Sequence, residues 1–66
     1  MSYEEYMNTF KKELLDNFFI YGAESGLLKN SEILCGYRDT GIITEEEYKQ
    51  LRKFNRTTYS NLPLDM

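Results

Sequence analysis

Histidine and tryptophan are absent from this chain, and cysteine and proline occur once each, as Cys35 and Pro63. Each gap removes a class of explanation. Without histidine there is no Ser–His or Cys–His nucleophile pair. Cys35 has no second cysteine for a disulfide and no histidine to join it in a zinc site. No apolar run approaches the roughly 18 residues of a membrane span; the longest uninterrupted one is Phe18-Phe19-Ile20-Tyr21. The stretch MSYEEYMNTFKKELL lacks the basic leader and apolar segment of a secretory signal. Gly22, Gly26, Gly36 and Gly41 fit neither G-x-G-x-x-G nor a Walker phosphate loop, and no acidic loop has calcium spacing. These gaps predict a protein that is not an enzyme and carries no cofactor or metal. They place it in the cytoplasm without membrane association, and a single unpaired cysteine agrees with a reducing compartment.

What is present is a small chain rich in rings. At 66 residues, 41% hydrophobic and 29% charged, it falls in the ordinary globular range and has room for one domain, residues 1–66. A chain this short buries only about 60% of its unfolded surface. Its core then supplies about 3–5 kcal/mol unless something staples it. Six tyrosines and four phenylalanines, each able to bury about 150–250 Å², are the available compensation. The other compensation is self-association.

Periodicity predicts an all-α, three-helix domain: helices over about 3–21, 31–40 and 45–59, with residues 60–66 a flexible tail. The first opens on an S-x-x-E capping box, Ser2 to Glu5. Tyr3, Tyr6, Met7, Phe10, Leu14, Phe18 and Tyr21 form its apolar stripe, with Glu5, Thr9, Lys12, Glu13 and Asp16 outside it. Residues 22–26 (GAESG) read as a linker or frayed end. The second helix is expected after Asn30 or Ser31, both good N-caps, though it could begin as early as Ala23. It turns Ile33, Leu34 and Tyr37 inward, and Gly36 suggests close approach to another helix. Cys35 reads as a small core hydrophobe. The third starts on a second capping box, Thr44 to Glu47, with Glu45, Glu46 and Glu47 at the positive end of the helix dipole. Thr57 and Thr58 weaken its end and Pro63 forbids continuation. The long first helix is expected to pack across a hairpin made by the other two.

Gly41-Ile42-Ile43-Thr44-Glu45-Glu46-Glu47-Tyr48 resembles the central signature of the short C-terminal domain (SHOCT) hairpins, in which such a stretch joins two short helices. The likeness covers about residues 31–54 and is strong over those eight. The flank Ile33-Leu34-Cys35-Gly36-Tyr37-Arg38 departs from the family's leucine-rich preceding helix, and Asn55-Arg56 from its apolar close. The resemblance implies a helical hairpin that docks on something, here the first helix. It also implies a role in interaction and assembly, and it supplies no active-site residue.

Two surfaces stand out. Phe18, Phe19, Ile20 and Tyr21 point in four successive directions, so one buried face cannot hold them all. Either the other segments surround this turn, or Phe19 or Ile20 stays exposed for a partner. Phe19, Ile20 and Tyr21 are therefore the partner-binding candidates. Lys49, Arg52, Lys53 and Arg56, at i, i+3, i+4 and i+7, form a cationic stripe opposite Tyr48, Leu51 and Phe54. A helix–turn–helix reader would use such a stripe, but Tyr37 and Glu47 occupy positions where that motif packs small and aliphatic residues. Net charge of −3 and a pI near 4.8 also weigh against nucleic acid. Eight cations against eleven acids are too balanced for a dedicated acidic mimic of nucleic acid. The reading that follows is a small cytosolic protein-interaction module with an unidentified protein partner, or a homodimer. It would be an inhibitory or regulatory accessory protein. Abundant Asn, Lys, Ile, Tyr and Phe, with the small size, associate it with a phage or mobile element. The alternative is a nucleic-acid-associated regulator using the four cations.

Overall fold

The computed structural model describes residues 2–62. Three helices, α1 (Tyr3–Tyr21), α2 (Ala23–Asp39) and α3 (Glu45–Asn61), make up the architecture, and each packs against the other two. The expected all-α plan is the one observed. Both capping boxes form. The Ser2 hydroxyl accepts from the Glu5 N–H and the Glu5 carboxylate from the Ser2 N–H, each at 3.1 Å. Those bonds hold the Glu5 carboxyl below its ordinary value. Thr44 and Glu47 repeat the arrangement at 3.1 and 2.9 Å.

The second helix begins at Ala23, the earlier of the two starts that the sequence allows and eight residues before the expected boundary of 31. The segment GAESG is a corner rather than a linker. Gly22 alone separates α1 from α2, at φ 91° and ψ 170°, a region essentially restricted to glycine. Its N–H closes α1 on the Phe18 carbonyl at 3.0 Å, and its own carbonyl accepts from the Gly26 N–H at 2.8 Å to start α2. Gly26 then allows the helices to touch. A Cβ there would lie 2.9 Å from Phe18 Cα and 3.1 Å from the Asn17 carbonyl oxygen. The close approach expected of Gly36 belongs to Gly26, since Gly36 is exposed with open space around it.

The second corner closes as a Schellman motif. With Gly41 at φ 81°, the Ile42 N–H donates to the Tyr37 carbonyl at 2.9 Å and the Gly41 N–H to that of Arg38 at 3.2 Å. Ile43 drops into the core, and the Tyr6 hydroxyl donates to the Ile42 carbonyl at 3.2 Å, tying α1 to the turn. At its far end α3 runs past Thr57 and Thr58, and Ser60 and Asn61 are helical rather than part of a tail. Thr58 and Tyr59 are half-buried, so packing extends the helix where threonine propensity is weak. Pro63, Leu64, Asp65 and Met66 of the expected tail lie outside the described residues.

The interior is layered. Leu14, Leu34 and Leu51, one from each helix, are fully buried together. Met7 and Ile43 join them, with Tyr6, Phe10, Tyr37, Tyr48 and Phe54 packed around the cluster. Three residues after Leu14, four before Leu34 and four after Leu51 stand Asn17, Asn30 and Asn55, all buried. Asn17 Nδ2 donates to Asn30 Oδ1 at 2.8 Å, and Asn30 Nδ2 donates to Asn55 Oδ1 and to the Leu14 carbonyl, each at 3.0 Å. Asn55 Nδ2 reaches the Leu27 carbonyl at 3.4 Å. No buried side-chain nitrogen or oxygen among the described residues lacks a partner, as a polar core layer requires.

Candidate functional site

Phe18 and Phe19 are adjacent in sequence and opposite in fate. Phe18 is buried against Gly26, while Phe19 is 87% and Ile20 68% exposed. The two-helix corner at Gly22 explains the split: α2 folds back along the Phe18 side and leaves the rest of the last turn of α1 uncovered. Tyr21, expected on the buried stripe, is half exposed, and the Lys29 ammonium sits 5.6 Å from its ring centre. The other segments do not surround this turn, and both Phe19 and Ile20 stay exposed. Leu28, which a helix starting near residue 31 would have packed under its first turn, is instead 64% exposed and lines a shallow depression with Tyr21, Ser25, Lys29 and Glu32. The signal was the four-residue recurrence of Gly26, Asn30 and Leu34: once α2 starts at Ala23, Leu28 falls off that inward line.

The second candidate surface is the outer face of α3. Lys49, Arg52, Lys53 and Arg56 are all exposed and share a shallow depression with Thr57. The opposite face carries Leu51 and Asn55 into the core, with Tyr48 and Phe54 half-buried. Glu45 lies one turn before Lys49 without pairing with it; the ion pairs among the described residues are Lys12–Asp16 at 3.1 Å and Arg38–Asp39 at 3.3 Å. The structure keeps the two candidate surfaces on different helices.

A third cluster sits between α2 and α3 and stays half-buried. Cys35 Sγ lies 3.7 Å from the Tyr48 hydroxyl, and the Arg38 guanidinium covers the Tyr48 ring at 4.3 Å. The contact with Cys35, and then burial, pushes the Tyr48 phenol up. On the other side of α2 the Tyr37 hydroxyl donates to both Glu13 oxygens at 3.0 and 3.1 Å. Burial and that bond raise the Tyr37 phenol as well. Glu13, expected on the outer face, is thus an anchor between helices. These contacts account for the polar groups at the α2 interfaces as packing partners.

Among the described residues no three His, Cys, Asp or Glu side chains are grouped to hold a metal ion, and no helix is long and apolar enough to cross a membrane. No family model, curated protein or solved structure matches the chain.

Proposed function

We propose that this chain is a small, cytosolic, non-enzymatic interaction module that acts by binding another protein, in an inhibitory or regulatory accessory role of the kind found in phages and mobile elements. One observation carries the reading: the core closes without Phe19 and Ile20, which stand exposed beside Tyr21 at the end of α1. Large apolar side chains grouped in solvent mark protein contact surfaces, and aromatic rings give contact area at low entropy cost. The likeness of residues 41–48 to the SHOCT hairpins, a family of interaction and assembly domains, points the same way. The patch would also serve self-association.

Affinity capture from the native host tests the proposal, with the wild type and the double variant Phe19→Ser, Ile20→Ser compared side by side. A protein retained by the wild type and lost by the variant supports it. Light scattering of both forms separates self-binding, which appears as a concentration-dependent mass that the variant abolishes. A wild type that stays monomeric and captures nothing the variant does not would sink the reading.

A further inference from the structure

The eight cations of the chain divide into two sets. Lys11 lies 5.4 Å from the Phe54 ring centre and Lys29 sits over Tyr21. Lys12 pairs with Asp16, and Arg38 with both Asp39 and the Tyr48 ring. Every cation away from the outer face of α3 thus has an intramolecular partner. Lys49, Arg52, Lys53 and Arg56 have none among the described residues, neither carboxylate, hydrogen bond nor ring. The chain carries −3 overall; removing these four positive charges leaves −7 (−3 − 4) for the remainder. An acidic molecule therefore holds four cations in solvent, without a partner among the described residues, on two turns of one helix around one shallow depression.

The geometry points to this face of α3 as a docking site for an acidic segment of another protein. Charge complementarity selects an anion, and the dimensions select its class. Residues 49 to 56 span about 10 Å along the axis. Beyond Lys49 the preceding turn carries Glu45, Glu46 and Glu47, so an anion that continues in that direction meets three carboxylates. A nucleic-acid duplex does continue, at about one charge per 1.7 Å. A single strand needs exposed rings on which bases stack, whereas Tyr48, Phe54 and Tyr59 are all partly buried. An acidic helix with carboxylates at i, i+3, i+4 and i+7 matches both length and spacing. So does an extended run of about three or four acidic residues. The site deepens the reading of the chain as a protein-binding module and rests on it, but it lies on a face separate from Phe19 and Ile20.

Fluorescence anisotropy with the full chain tests it, using a labelled oligoglutamate peptide, a labelled oligothymidine and a labelled DNA duplex at low ionic strength. The peptide is expected to bind best and to weaken as salt rises. Its affinity should fall at least about tenfold in the variant Lys49→Glu, Arg52→Glu, Lys53→Glu, Arg56→Glu. The corresponding Gln variant should show the same direction of loss, and it keeps the test decisive if four added carboxylates disturb α3. Phe19→Ser with Ile20→Ser should leave peptide binding unchanged, so the two faces succeed or fail separately. Equal peptide binding by the wild type and the Gln variant overturns the proposal. Tighter binding of either nucleic acid than of the peptide overturns it in favour of a polynucleotide. A salt-sensitive self-association removed by the same substitutions assigns the face to a second copy and overturns it too.

Discussion

Asn30 is the residue on which the interior turns. It is fully buried and bonds to an asparagine on each neighbouring helix and to the Leu14 carbonyl. Asn30→Ala removes the acceptor of Asn17 and the donor to Asn55 at once. Each buried group left unpaired costs about 1–3 kcal/mol, so a loss of about 2–5 kcal/mol is expected in urea unfolding. A loss below about 0.5 kcal/mol, the size of a neutral surface change, would show that water replaces the network. Tyr37 gives a prediction in pH. Its phenol is raised, so the folded state holds the proton more tightly than the unfolded chain. That contribution is fully present below the unfolded value of about 10 and is lost as pH rises through the higher folded value. Tyr37→Phe should therefore flatten part of the fall in melting temperature above pH 10 or so. Parallel curves for the two forms would count against the Glu13 bond.

At the scale of elements, glycine decides how the helices meet, and the four positions have different roles. A Cβ at Gly26 would press on the Phe18 backbone, which cannot swing aside. Gly26→Ala should cost about 1–3 kcal/mol, the usual range for overpacking. Gly36 is helical, exposed and open, so Gly36→Ala should stabilise by about 1 kcal/mol through propensity alone. Chemical denaturation of the pair reads both signs in one experiment, and a matching sign for both would contradict the packing described. Gly22→Ala strains the corner itself, at about 1–3 kcal/mol. The corner also explains why α2 was legible only in part. Asn30 and Ser31 are good N-caps by type, but in the middle of α2 one is buried and the other returns its hydroxyl to the Leu27 carbonyl at 3.0 Å.

For the molecule as a whole, one small core sets the stability. Surface pairs such as Lys12–Asp16 add little, so salt should move the unfolding free energy by less than about 1 kcal/mol. The core is expected to give about 3–5 kcal/mol in all, which places Asn30→Ala near the edge of folding. Phe19→Ser with Ile20→Ser, by contrast, exchanges side chains already in water. Its unfolding free energy in urea should stay within about 0.5 kcal/mol of the wild type while any association through that surface disappears. A destabilisation of several kcal/mol would mean that the two side chains belong to the core. Unchanged stability with changed binding is the signature expected of an interaction surface.

Sequence alone determined what depends on neighbours along the chain. The two capping boxes, the stop at Gly41, the inward Leu14, Leu34 and Leu51, and the outward Lys49, Arg52, Lys53 and Arg56 all follow from spacing, because a helix repeats every 3.6 residues or so. Tertiary structure decided what depends on which helix lies alongside. Asparagine is usually exposed, and only three helices converging could give Asn17, Asn30 and Asn55 to one another. Gly26 is a contact only because Gly22 turns α2 back onto Phe18. That same turn buries Phe18 and leaves Phe19 and Ile20 in solvent, where the spacing of the last turn alone allowed either outcome.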